Sequence, residues 1–294
     1  MGNDDHKDEL ILKIAWYYYI DGITQQEIAD KVGISRIKVI RILESAKASG
    51  LIRFSIAGSD KMCISSERAL CDKWKLKSAI VVPTPSDPDR VNDVLAVSAA
   101  DYISTQLSVN SFINMGYGDT LSKVLNHLAM TSAFPVSIVS LTGGVNYYLP
   151  NTNSATFNAR LHLYPTPLML SSAEVCRTIK NEPEVKEIQR LIKNSLFTLV
   201  GIGSMDSEAT ILKNGIMRAN DFAYLTQSGA VGDILATFID ENGKPIETSY
   251  NDRMIATSLS QLKELQNVIG VSGGVHKEAA IRAALRGGYL DTLI

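Results

Sequence analysis

The sequence predicts a small all-α helix-turn-helix head, residues 1–57, joined to a larger α/β domain, residues 58–294, with a mostly parallel sheet. Three observations carry this. Residues 25–44 hold the spacing of two short helices about a tight turn. Beyond residue 75, short apolar runs alternate with amphipathic helical stretches, the rhythm of strand and helix units on a parallel sheet. Several of those runs end in glycine or a small polar residue.

In the head, Leu10, Ile11, Ile14, Ala15 and Tyr18 recur at helical spacing from Asp8 to Ile20, and Asp21-Gly22 stops the run. Trp16, Tyr17, Tyr18 and Tyr19 cannot all share one buried helix face, so at least one ring lies near the surface. Thr24 with Glu27 three positions on caps the next helix, and Ser35 caps the one after it. Ala29 is the small residue two steeply crossing helices require, and Gly33 tolerates the turn. Ile28, Val32, Ile34, Val39, Ile42 and Leu43 then fall inward. Ser35, Arg36, Lys38 and Arg41 stay on or beside the outer face, as donors suited to base edges and phosphates. Between residues 31 and 53, Lys31, Arg36, Lys38, Arg41, Lys47 and Arg53 face the single acid Glu44, although the whole chain has a formal charge of −2. A charge run alone is usually a solvated face; its coincidence with the turn geometry implies a DNA reader. Leu51 to Ile56 alternates like a short strand, a wing beside the head.

Composition sets the class. A hydrophobic content of 45% and a charged content of 20% are ordinary for a globular protein. No apolar run reaches the ~18 residues of a membrane helix, and the acidic amino end lacks a secretory core. Membrane partners are not expected, and a cytoplasmic location is. The 3 cysteines form no Cys-x-x-Cys pair and the 4 histidines have no ligand spacing, so neither a disulfide framework nor a metal site is expected.

Residues 58–75 form a connector with a helical stretch from Ser65 to Lys75, whose Leu70 and Trp74 fall on one side and suit a partner subunit. Strands are expected at 79–82, 112–115, 136–141, 196–202 and 268–271. Helices are expected at 91–106, 120–128, 173–180, 185–193 and 277–285.

The carboxyl ends of strands are where an open α/β sheet binds ligands. Four such ends share one chemistry: Gly116-Tyr-Gly118-Asp119-Thr120, Thr142-Gly143-Gly144, Gly201-Ile-Gly203-Ser204 and Ser272-Gly273-Gly274-Val-His-Lys277. Glycine lets backbone N–H groups approach an anion, a following helix adds its positive end, Thr120 offers a hydroxyl and Lys277 a countercharge. Each loop alone is more often a tight turn; four together point to a pocket for a small phosphorylated, hydroxyl-rich molecule. The nucleotide fingerprint and the phosphate loop are both missing, which disfavours dinucleotides and ATP, and no cofactor is expected. Asp233, in Gly229-Ala-Val-Gly232-Asp233-Ile-Leu, either caps a following helix or accepts hydrogen bonds from ligand hydroxyls.

These residues resemble the SorC/DeoR-type bacterial transcriptional regulators, which include regulators of sorbose and of autoinducer-2 uptake. The resemblance runs from Leu10 onward. It is most specific at residues 14–19, 22–29 and 35–43 of the head, and at Leu141-Thr-Gly-Gly, Val200-Gly-Ile-Gly, Gly229-Ala-Val-Gly-Asp-Ile-Leu and Gly270-Val-Ser-Gly-Gly-Val-His-Lys. It implies a sensor built like sugar-phosphate isomerases and glucosamine-phosphate deaminases. Such a sensor binds a phosphorylated sugar and assembles as a homodimer or homotetramer on double-stranded operator DNA. By that likeness Lys277 and the glycine loops hold the phosphate, Asp233 meets hydroxyls, and Tyr18 and Gln25 match head positions used on DNA. One departure is visible: the chain stops at Leu290-Asp-Thr-Leu-Ile294, where relatives usually run on through a further Thr-Asp and a closing helix. The residues show no paired acid and base, so the expectation is a regulator, not an enzyme; the alternative is an isomerase- or deaminase-like enzyme carrying a DNA-binding head.

Overall fold

The computed structural model describes residues 5–48, 51–52, 61–148 and 158–294. Contacts divide the chain into two compact units, Met1–Gly58 and Ser59–Ile294.

The first unit holds α1 (Asp5–Tyr19), α2 (Gln25–Val32) and α3 (Arg36–Ala48). Its core is Ile14, Ala15, Ile28, Ala29, Val39 and Leu43, one apolar stripe from each helix, with Val32, Ile34 and Ile42 packed against it. Both caps form: the Thr24 hydroxyl accepts from the Glu27 N–H while Glu27 accepts from the Thr24 N–H, and Ser35 Oγ accepts from the Lys38 N–H at 3.3 Å. Gly33 ends α2 at φ 74°, in the left-handed region where a side chain is strained. Trp16 is the ring left outside, 60% exposed. Most of the expected wing, residues 53–56, lies outside the described residues.

The second unit begins with α4 (Lys61–Trp74), β1 (Ser78–Ala79), α5 (Val91–Ser104), β2 (Phe112–Met115), α6 (Asp119–Thr131), β3 (Val136–Ser140) and β4 (Ala159–His162). It continues through α7 (Ala173–Lys180), α8 (Pro183–Asn194), β5 (Phe197–Gly201), β6 (Gly203–Ser204), α9 (Thr210–Lys213) and α10 (Ala219–Gln227). The last elements are β7 (Gly232–Ile234), β8 (Thr237–Ile239), α11 (Leu259–Leu262), β9 (Val268–Val271), α12 (Glu278–Arg286) and β10 (Thr292–Leu293).

Seven strands form one sheet in the order β1-β10-β9-β5-β2-β3-β4, and every pair in it is parallel. Alternate residues of a strand point to opposite faces, and the core follows that rule. Val139, Val200 and Val268 pack with Cys176, Ile188, Ile192 and Ala283 on one face. Ile138, Leu199 and Ile269 pack with Leu95, Ala99, Leu121 and Leu125 on the other. Helices therefore cover both faces. Leu70 and Trp74 of α4 pack on the first of these clusters, within the same chain.

Two features differ from the sequence expectation. A second, antiparallel sheet β6-β7-β8 stands apart from the parallel one. Asp233 lies in β7, not at a helix start: Leu235 and Ala236, at φ 53° and 62°, turn the chain back into β8, so the helix-capping role does not arise. At 290–294, where the chain departs from the family pattern, Thr292 and Leu293 are buried as β10 between β1 and β9.

Candidate nucleic-acid interface and effector crevice

The head presents α3 as predicted from its buried stripe. Arg36, Lys38 and Arg41 are exposed, as are Ser35 and Thr24 at the two caps, while Gln25 and Tyr18 are half-buried, Tyr18 stacking edge-on against Tyr19 at 4.9 Å. The sequence reading passed over Ile37. It is 63% exposed beside Lys38 and four residues before Arg41, where an apolar side chain can meet a thymine methyl. Its signal was available, since Ile37 falls off the Val39–Leu43 stripe. Two of the counted cations are occupied: Lys31 Nζ sits 4.5 Å from the Tyr17 ring centre and Lys47 Nζ 5.7 Å from that of Tyr19. The Thr24 hydroxyl and N–H donate to Glu27 and hold its carboxyl below the ordinary range, so the acid at this end of α2 stays ionised.

In the α/β unit the strand order reverses direction between β2 and β5, and that topological switch point is where an open parallel sheet leaves a crevice. The loops after both strands meet there, for the Gly116 N–H donates to the Leu199 carbonyl at 2.9 Å. The chain after β9 joins them through a single 3₁₀ turn, Val275–Lys277, in contact with β6 and leading into α12. Gly118 opens α6 without a side-chain cap, leaving its first-turn N–H groups to whatever lies in the crevice. Thr120 is buried and its hydroxyl has no partner among the described residues.

Asp233 enters from β7. It is 93% buried by the complement of its 7% exposure, and its Oδ2 accepts from the Ala236 N–H at 3.1 Å. Oδ1 has no hydrogen bond among the described residues and is not sealed from solvent. Burial pushes this carboxyl from 3.8 up to about 6, against the lowering effects of the Ala236 N–H and of Lys277. Lys277 is half-buried and makes no ion pair with a described residue. Burial pulls its ammonium down, and the fields of Asp233, Asp206 and Asp119 oppose that. A desolvated lysine and a desolvated carboxylate thus lie within reach of each other's field, with no ion pair between them, a combination suited to an anion at one end and hydroxyls at the other.

Some predicted residues do not serve as proposed. The Gly116 N–H belongs to the sheet; those of Gly143 and Gly144 donate to the carbonyls of Ile255 and Thr166, both at 2.8 Å, because this loop is bridged to neighbouring backbone. None of the three has an N–H to give an anion. Asp119 is turned to the surface, where its Oδ2 accepts from Asn92 Nδ2 at 2.9 Å and meets Lys123 Nζ at 3.2 Å. Gly203 lies opposite Asp233 in the β6–β7 pairing, and Gly273 packs under Leu95. Gly274 is exposed at the start of the 3₁₀ turn. Asp206 was not foreseen: it follows β6, accepts from Ser204 Oγ at 2.6 Å and from the Glu208 N–H at 2.8 Å, and contributes to the field at Lys277. Nothing in its local sequence marks it, since only the β6–β7 pairing carries it to the crevice.

Comparison with known proteins places both units. A family model described as a sugar-binding domain matches residues 60–294, and one described as winged helix-turn-helix DNA-binding matches residues 21–53. The transcriptional regulator LsrR of Escherichia coli K12 is 34% identical over 292 residues, covering 98% of this chain and 92% of its own. LsrR of Klebsiella pneumoniae is 32% identical over 292 residues, covering 98% and 90%. The full-length sorbitol operon regulator SorC from Klebsiella pneumoniae shares the fold at a TM-score of 0.71 and 24% identity, over 97% of this chain and 95% of that one. A DeoR family regulator from Listeria monocytogenes does so at 0.70 and 23%, over 80% and 96%.

Proposed function

Because this chain belongs to the SorC/DeoR family of transcriptional regulators, with a DNA-binding head and a sugar-binding domain, we propose that a phosphorylated sugar in the switch-point crevice controls its hold on the operator of a carbohydrate-uptake or catabolic operon in the cytoplasm. The observation that carries this reading is Asp233, a buried carboxyl whose Oδ1 has no hydrogen bond among the described residues, within the field of Lys277, which makes no ion pair with a described residue. A buried carboxylate gains most from donors that replace lost water, and sugar hydroxyls are such donors. The phosphoryl group lies toward Lys277, Thr120 and the uncapped start of α6, where charge and backbone N–H groups favour it. Gly118, with open space beside it, leaves room for its approach.

On the head, Arg36, Lys38 and Arg41 reach the major groove from α3, while Ser35, Thr24, Gln25 and Tyr18 meet the backbone or neighbouring bases. A homodimer or homotetramer brings two heads to a palindromic site. The effector switches the assembly by favouring one arrangement of the heads, since equal affinity for both would change nothing. A full switch needs about 5.5 kcal/mol of differential binding.

The test uses the full chain, a fluorescent fragment of its own upstream promoter region and a scrambled duplex, titrated with a panel of sugar phosphates and the parent sugars. Preference for the promoter fragment, altered by a phosphorylated member and not by its parent sugar, supports the reading. Equal binding to both duplexes, with or without the panel, overturns it.

A further inference from the structure

α3 buries Val39, Leu43 and Ala46. Residues 37 and 41, one turn apart near the amino-terminal end of the helix, lie about half a turn round from that stripe and so point outward. Ile37 is 63% exposed and stands outside the head's core. A β-branched side chain on an exposed helix face is stiff, and it favours the helix less than alanine, arginine or lysine does. Arg36, Lys38 and Arg41 around it are exposed as well, and none makes an ion pair with a described residue. A lone apolar residue on a surface is ordinary. One set among unpaired cations on the outward face of a recognition helix sits where base edges come.

We propose that Ile37 reads the C5 methyl group of a thymine in the major groove, and that Arg41 reads a guanine within about two base pairs of it. The inference rests on the DNA-reading role of the head and names what that helix reads. Residues 37 and 41 are about 6 Å apart along the helix axis, and stacked bases are about 3.4 Å apart. Two side chains pointing the same way therefore reach bases one or two steps apart. The thymine methyl is the apolar group that base edges offer in the major groove, and an isoleucine laid over it takes both from water. The same contact rejects cytosine, whose amino group would lose its water beside a side chain with no acceptor. Arg41 has the fork of donors that matches the two acceptors of guanine.

The test uses the full chain and a fragment of its own upstream promoter region made in two forms, with thymidine and with deoxyuridine throughout, which differ only in the methyl group. A scrambled duplex is made in both forms as the reference. Anisotropy titrations compare wild type, Ile37→Ala and Arg41→Ala. Wild type is expected to bind the thymidine promoter about fourfold or more tighter than the deoxyuridine one, the worth of one methyl group taken from water. Ile37→Ala, which leaves the core of the head untouched, is expected to bind both forms alike, close to the affinity of wild type for the deoxyuridine form. Arg41→Ala is expected to bind more weakly and to keep the ratio, because its contact is to another base. Single thymidine-to-deoxyuridine exchanges then locate the methyl group. A guanine within two base pairs of it is expected to be one whose replacement by 7-deazaguanine weakens wild type and not Arg41→Ala. Equal affinity of wild type for the two promoter forms, or a full ratio kept by Ile37→Ala, overturns the methyl contact, and the lack of such a guanine overturns the pairing with Arg41. Failure of wild type to prefer its promoter to the scrambled duplex in either form overturns the DNA-reading role and this inference with it.

Discussion

Gly203 and Asp233 stand opposite each other across β6 and β7, so close that a methyl group built on Gly203 would lie 2.0 Å from Asp233 Oδ1. The glycine keeps open the space that the unpartnered carboxylate oxygen faces. The obstructed atom is the end of a side chain, so Gly203→Ala is expected to fold and to turn the Asp233 carboxylate aside. The effector concentration for half-maximal operator release should then rise about tenfold or more, the cost of one hydrogen bond to a charged group. Operator affinity without effector should not change. Anisotropy titrations of a labelled operator measure both.

Asp233→Asn is expected to stabilise the ligand-free protein. The carboxyl titrates at 3.8 when unperturbed and at about 6 in the fold, so the folded chain keeps a proton that the unfolded chain releases between those values. Stability therefore falls as pH rises through that window, and above it the full penalty applies, at most about 3 kcal/mol. The variant should melt higher than wild type at about pH 8 and level with it near pH 4. Thermal melts across that range decide it: a constant gap between the two proteins would contradict the assignment.

Removing the ammonium of Lys277 should leave the ligand-free fold intact, because it pairs with no described residue and burial already disfavours its charge. Lys277→Ala is expected to weaken the response to a phosphorylated effector by about ten- to a hundredfold, as loss of a charge-assisted bond does. Operator binding should persist. Release at the wild-type effector concentration would refute the phosphate role.

Two substitutions on α3 should behave differently. Arg36→Ala is expected to weaken binding to the operator more than to scrambled DNA, the mark of a base contact. Lys38→Ala, if it removes a phosphate contact, should weaken both alike and reduce the slope of log affinity against log salt by about one. Titrations at several salt concentrations separate the two.

Gly33→Ala tests the turn. The position has open space around it but sits at φ 74°, so the expected cost is conformational alone, about 1–2 kcal/mol. Hydrogen exchange in α2 and α3 of the full chain should quicken, with amides of β5 and β9 unaffected.

The head was legible because each of its signals is local: a cap, a turn glycine and a 3.6-residue stripe all lie within a few positions of what they determine. The same holds for β2 and β9, short, mostly apolar runs whose expected bounds, 112–115 and 268–271, are the observed ones. The hairpin β7–β8 was hidden because Leu235 and Ala236 adopt a turn conformation that usually belongs to glycine or asparagine, so the Ile-Leu-Ala stretch read as helical. The pocket was half legible. Lys277 and Asp233 carried charge that demanded a role, whereas the engaged N–H groups of Gly116, Gly143 and Gly144 depend on strands and bridges that a linear reading does not bring together. Asp206 is the same case, placed by pairing alone.

Ser78 of β1 pairs with Thr292 of β10, and almost the whole α/β unit is synthesised between them. While the ribosome is still making that stretch, β1 lacks the strand it pairs with among the described residues, β10. Closing so long a loop is slow, and α4 rests on β1. The helical head, built from near-sequence contacts, is therefore free to fold on the nascent chain, while the sensor sheet closes only after residues 292–293 emerge. A stalled or truncated translation product would pair a folded DNA reader with an unclosed sensor, which makes those two strand residues a checkpoint on whether a regulator that can bind also can respond.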